Sequence, residues 1–199
     1  MPDRPLPQPT QSAPALPGAH PLFDPATFIP TLELALHGLT EPREIRAATV
    51  AHIAPARAQA MADVLAGFAA HPRAARETVR AIAAVTDAVV AAVHHVAVTC
   101  LHPQHSQTTS ERLAVMAVGG YGRAEMAPHS DVDLLFLHPW KPAGWIESVV
   151  ESILYMLWDL KLKVGHSSRT VKDCIRLGRD DITIRTALLE CRFLDGLES

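Results

Sequence analysis

The apolar periodicity of this chain predicts an α/β or α+β fold with a helical preface and a helical tail, and three observations carry that expectation. Ile82, Val85, Val89, Val93 and Val96 recur at spacings of three and four, the mark of one buried helix face. Beyond Leu113 the period shortens: "LAVMAVGG" and "DVDLLFLHP" are brief apolar runs closed by glycines and by His138-Pro139, as buried strands are. The segment "WIESVVESILYMLWDL" then returns to helical spacing, with Ile146, Val149, Ile153, Leu157 and Leu160 on one side, before "KLKVGHSSRT" alternates like a strand. Strand, turn, strand, helix, strand is the order expected of a sheet with helices laid against it.

In chain order, residues 1–26 are rich in proline and poor in large apolar groups, so a disordered leader is expected there. Residues 27–110 read as a helical extension. Pro55 and Pro72 are expected to interrupt it, giving at least two helices before the one that carries Val85 and Val89. His94 and His95 are neighbours, so on a helix they diverge by about 100° and do not form a facing pair of ligands. Surface or half-buried places are expected for both. Residues 111–199 form the core unit. Within it, Thr170 and Asp173 make a capping-box variant that opens "TVKDCIRLG", with Gly178 as its close. Asp181 can cap a last helix whose shared face is Ile184, Leu188, Cys191 and Leu194.

Composition excludes several classes of function. Hydrophobic residues are 48% of the chain, charged residues 20%, and the net charge is −3, which offers no general attraction to nucleic acid or to an anionic membrane. The three cysteines, Cys100, Cys174 and Cys191, form no C-x-x-C pair, so small apolar core residues in a reducing compartment are expected. The first residues lack the apolar stretch of a secretory signal. The run Ala88–Leu101 is too short to span a bilayer and holds two histidines. A soluble, cytoplasmic protein without membrane or nucleic-acid partners is the expectation.

The chemistry concentrates in "VGGYGRAEMAPHSDVDLLFL", Val118 to Leu137. A dinucleotide fingerprint begun at Gly120 finds Gly122 but ends on Glu125 and runs into a strand rather than a helix. A Walker loop needs Gly-Lys-Ser/Thr, and an EF-hand needs oxygen ligands where Leu135 and Leu137 stand. A nucleotidyltransferase site fits better. On a strand Asp131 and Asp133 point one way while Val132 and Leu134 point into the core. Two adjacent carboxylates repel unless a cation lies between them, and Mg²⁺ is a hard ion commonly held by one or two carboxylates plus substrate phosphates. Asp-Val-Asp alone is weak. An apolar strand ending in Gly119-Gly120, the ten residues Tyr121 to Ser130, and then Asp-Val-Asp-Leu entering a second apolar strand is a specific combination.

Those residues resemble the motif of the polymerase-β-like nucleotidyltransferases, whose fold is α+β: a small mixed sheet with flanking helices. More narrowly, the chain is similar to the N-terminal domain of the bifunctional uridylyltransferase/uridylyl-removing family that acts on the nitrogen regulatory protein PII. The stretch "YMLWDLKLKVGHSSRTVKDCIRLGRDDITIRTALLECRFLDG" carries the closer likeness. The resemblance implies transfer of UMP from UTP to a tyrosine hydroxyl of PII, with release of pyrophosphate. It implies Asp131 and Asp133 as the catalytic Mg²⁺ ligands, Gly119 and Gly120 as a cradle for the triphosphate, and Arg123 and Ser130 near the phosphates. The "Gly-His-Ser" of Gly165 to Ser167 lies on the neighbouring strand and is expected to border the site, with His166 equally readable as a structural histidine.

The likeness has departures. Ala124 stands where the family usually has glycine, and "KLKVGHSSRT" offers no third carboxylate. No His-Asp dipeptide of the phosphohydrolase type occurs, and the core is expected to be truncated at its C-terminal end, so uridylyl removal is not expected of this chain. Two alternatives stay open: transfer of another nucleotide, such as AMP to a protein or small molecule, and a catalytically silent nucleotide-binding or interaction fragment.

Overall fold

A computed structural model describes residues 24–104, 112–140 and 144–196; most of the expected leader, residues 1–23, lies outside them. Helix α1 (Pro25–Leu36) starts at Asp24, whose carboxylate accepts from the Ala26 N–H at 3.1 Å. Helix α2 (Pro42–Ala70) follows, then α3 (Ala75–Val96), which runs into a π-helical turn, Ala97–Leu101. The expected break at Pro55 does not occur: α2 is a single helix of 29 residues with Pro55 inside it. The proline forfeits one backbone hydrogen bond, and burial of Ile45, Thr49, Ile53, Ala60 and Val64 along the inward face holds the helix through it. The interruption lies earlier, after α1, where Gly38 takes a φ of +82°.

Helix α3 is the axis of the core. Ile82, Val85, Val89, Val93 and Val96 are all 3% exposed or less, so the face read from sequence is the buried face. Ala75–Leu101 together make 27 residues, long and apolar enough to cross a membrane, which corrects the expectation of a run too short for that. Yet 67% of its most apolar window is buried against the rest of the fold, as in a core helix. The two histidines diverge as expected but not both to the surface. His94 is buried and its Nδ1 lies 3.0 Å from Asp195 Oδ2, whereas His95 Nε2 meets Glu33 of α1 at 2.9 Å.

Strands β1 (Ala114–Ala117), β2 (Val132–His138) and β3 (Val164–Thr170) arise where the short apolar runs predict them, with the one-turn helix α4 (Gly119–Gly122) after β1. Helix α5 (Gly144–Asp159) carries the chain from β2 to the parallel β3, since parallel neighbours need a crossover. After it come α6 (Val171–Asp180), α7 (Ile182–Leu189) and a fourth strand, β4 (Arg192–Gly196). The sheet order is β3-β2-β1-β4, with β1 antiparallel to both neighbours. The fold is α+β, a small mixed sheet with flanking helices.

The capping box at Thr170 and Asp173 is present, and Asp181 caps α7 through the Thr183 and Ile184 N–H groups. Three expectations change here. Gly178 lies inside α6, buried against Leu188, instead of ending it. Helix α7 stops at Leu189, so Cys191 and Leu194 are not on its face; Leu194 belongs to β4, and Cys191 is exposed instead of lying in the core. The unpaired edge of β1 offers more backbone hydrogen bonds to residues 192–196 than another turn of helix would.

Candidate active site

Val132 and Leu134 are 0% and 1% exposed and face the helices, which turns Asp133 to the opposite side of β2. Asp131 stands exposed just ahead of the strand. The two carboxylates interact: burial first, and then the negative charge of Asp131, push the Asp133 carboxyl above its ordinary value. Glycine on both neighbouring segments makes room for this group. Gly165, opposite Asp133 in β3, would carry a Cβ 2.5 Å from Asp133 Oδ1, so any side chain there would displace the carboxylate. Gly119 adopts a φ of +61°, and a Cβ on it would lie 3.6 Å from Asp133 Oδ2.

A cleft of about 280 Å³ opens from this point along the sheet, bounded by α7 on its far side. The parallel register Asp133 to Gly165, Leu135 to Ser167 and Leu137 to Arg169 puts Ser167 and Arg169 on the face of Asp133. Both line the cleft, with Ile184 and Leu188 as an apolar wall. Arg169 has no ion-pair partner among the described residues. The Gly165 to Ser167 stretch borders the cleft as expected from sequence, whereas sequence reading did not select Arg169, although strand alternation from Gly165 marks it. His166 also borders the cleft, with its ring edge-on to Trp158 at 6.5 Å.

The other residues expected at the site are held by protein partners. Arg123 Nη1 lies 2.6 Å from Glu190 Oε2, and its Nε lies 3.5 Å from Glu125 Oε2; the Glu190 bond raises its pKa further. A Cβ on Gly120 would come within 3.7 Å of Arg123 Nη2, so the guanidinium does stand over the glycine turn. The Ser130 hydroxyl accepts from the Ala127 N–H at 3.1 Å and closes the turn before Asp131, away from the cleft. Ala124 has a φ of +56°, the left-handed conformation for which glycine is suited.

What fixes the glycine turn lies far off in sequence. Arg192 of β4 donates to the Tyr121 and Gly122 carbonyls at 3.2 and 3.3 Å and forms a two-point ion pair with Asp87 of α3 at 2.8 and 3.0 Å. Its guanidinium also sits 5.6 Å from the Tyr121 ring centre. At Gly122 a Cβ would fall 1.9 Å from the Glu190 carbonyl oxygen, so the chain before β4 presses directly on the turn.

The donor set suits a hard divalent ion: two oxygen-only carboxylates, one with its pKa raised by burial and by the charge of the other. No cluster of three or more His, Cys, Asp or Glu occurs among the described residues, so a third protein ligand is not supplied there.

A family described as glutamate-ammonia ligase adenylyltransferase has a model that matches residues 34–153, which include the glycine turn and both aspartates. The chain belongs to this nucleotidyltransferase family. Curated relatives within reach carry the name bifunctional uridylyltransferase/uridylyl-removing enzyme. That of Cereibacter sphaeroides is 60% identical over 164 residues, 82% of this chain and 18% of the relative. That of Ruegeria pomeroyi is 55% identical over 176 residues, 88% of the chain and 19% of the relative, and that of Novosphingobium aromaticivorans is 48% identical over 135 residues, 68% and 15%. The chain thus spans less than a fifth of the length of these relatives. The family description is one of nucleotidyl transfer, and it fixes neither the base nor the acceptor for this chain.

Proposed function

We propose that the chain transfers UMP from UTP to a tyrosine hydroxyl of protein PII, in the cytoplasm. The observation that carries this reading is Asp131-Val132-Asp133 entering β2 beside the Gly119-Gly120 turn, at the head of a cleft with a cationic floor. Names of relatives that share more than four-fifths of the chain support uridylyl transfer over transfer of another nucleotide.

Asp131 and Asp133 would hold Mg²⁺, which when bound neutralises phosphate charge and lowers the pKa of an attacking oxygen. The chain's own residues do the rest. Gly119, whose backbone N–H stands at the start of the one-turn helix without an intrahelical acceptor, lines the cleft and would offer that N–H to a phosphate oxygen. Arg169 supplies positive charge from the cleft floor, and Arg123 supplies more if it exchanges Glu190 for the triphosphate. Ser130 sets the approach of the chain to Asp131 by accepting from the Ala127 N–H. The tyrosine hydroxyl loses its proton to solvent as its oxygen attacks the α-phosphorus in line, that bond forms as the bond to the bridging oxygen breaks, and pyrophosphate leaves.

The decisive experiment is incorporation of labelled UMP into PII with Mg²⁺ present. Asp133→Asn should lower kcat by about a hundredfold or more, and an equally active variant would remove Asp133 from the metal site. Arg169→Gln should raise the KM for UTP by about tenfold with a smaller change in kcat. The matching family model is named for adenylyl transfer, so ATP is the rival donor; faster turnover with ATP, or with another acceptor, would favour that reading. Nucleotide bound with no pyrophosphate released would mark a silent binding fragment.

A further inference from the structure

Where β2 and β3 begin, helices α2 and α3 and two connecting turns border a second, half-open cavity of about 300 Å³, away from the Asp133 cleft. Its rim carries the exposed side chains of His129, Lys161 and Lys163, with Arg57 half-buried among them. Its floor is apolar, formed by the buried side chains of Ile82, Met126 and Val132. Among the described residues no carboxylate lines it, in a chain whose net charge is −3. Arg57 forms no ion pair among the described residues, and burial pulls its pKa below the ordinary value. A half-buried guanidinium without a counter-charge costs stability unless an anion meets it.

The two turns add a second, independent observation. His129 and Lys161 both hold left-handed φ angles, +70° and +61°, and both line this cavity. Such conformations cost non-glycine residues free energy and persist where surrounding structure enforces them, often at ligand sites.

We propose that this cavity binds a small organic phosphate, its anionic group between Arg57, Lys161 and Lys163 and its apolar body on Ile82, Met126 and Val132. Three cations around one cavity match a dianion better than a single carboxylate, and an arginine fork suits phosphate oxygens. A volume of about 300 Å³ over an apolar floor suits a small molecule. Ser130 also lines the cavity, so an occupant would touch the turn that delivers Asp131 to the strand.

The test uses phenyl phosphate as probe, titrated calorimetrically into the protein without Mg²⁺ or nucleotide, with inorganic phosphate and benzoate in parallel. One-site binding is expected, about tenfold or more tighter for phenyl phosphate than for either comparison anion. Arg57→Gln should weaken it about tenfold or more, and so should Lys163→Gln, whose exposed side chain can be replaced without disturbing the core. Asp133→Asn should leave it unchanged. The proposal is overturned if phenyl phosphate fails to bind, if it binds no better than phosphate or benzoate, if binding survives Lys163→Gln in a folded protein, or if Asp133→Asn abolishes it. That last result would assign the probe to the active-site cleft.

Discussion

At the scale of single residues the site is under tension, and Asp133 shows it. Because burial and Asp131 raise its carboxyl pKa, the folded state binds more protons than the unfolded chain between the ordinary carboxylate value, about 3.9, and the raised one. Stability contributed there is present at low pH and lost as pH rises through that window. Without Mg²⁺, Asp133→Asn should therefore melt above the parent at pH 7, with the gap closing near pH 4. With Mg²⁺ the order should reverse, since only the parent gains from the ion. Calorimetry at both pH values, with and without metal, checks this; a variant that melts lower at pH 7 without metal would contradict the repulsion. Ala124 stores strain of another kind. Its φ of +56° suits glycine, while glycine loses more backbone entropy on folding, so Ala124→Gly should stabilise by only about 0.5 kcal/mol, or about 1–2 °C in Tm.

At the scale of elements, β4 works as a clamp on the glycine turn. Arg192 joins the Tyr121 and Gly122 carbonyls to Asp87, and Asp195 at the other end of the strand meets the buried His94. Burial alone would raise the Asp195 carboxyl, but its hydrogen bond to His94 and the charge there outweigh it and hold it below its ordinary value. Arg192→Gln removes a half-buried two-point ion pair and should cost about 2–3 kcal/mol, about 5–10 °C in Tm. Hydrogen exchange should quicken at the Gly122 to Ala124 amides; unchanged exchange there would show that β4 does not hold the turn. None of this clamp was legible in the sequence. "RFLDG" is short, and Ile184, Leu188, Cys191 and Leu194 mimic a helical face, so the strand exists only because β1 has an edge to fill. Arg192 and Asp87 lie 105 residues apart, beyond any local pattern. By contrast, β1, β2, α5 and β3 announce themselves through period alone, and the aspartate pair through one intervening valine. Pro55 misled because tertiary burial overrode a local breaker.

At the scale of the whole molecule, the helical extension and the sheet share one hydrophobic core. The same cluster of buried side chains runs from Phe28 of α1 through α3 to Phe136 of β2 and Leu157 of α5. Removal of α1–α3 would expose what Ile82, Val85, Val89, Val93 and Val96 now cover. At about 1.5–3 kcal/mol for each buried side chain, those five alone amount to roughly 8–15 kcal/mol, as much as the net stability of an ordinary domain. Residues 112–199 made without the preceding helices should therefore fail to fold, giving a collapsed amide spectrum. The intact chain should melt in one transition, with calorimetric and van't Hoff enthalpies equal. A dispersed spectrum from the shorter piece, or two transitions from the whole, would make the extension a separable unit. The nucleotidyltransferase sheet would then owe its stability to α5 and its own strands, and Asp87, on α3, could not be needed to anchor Arg192.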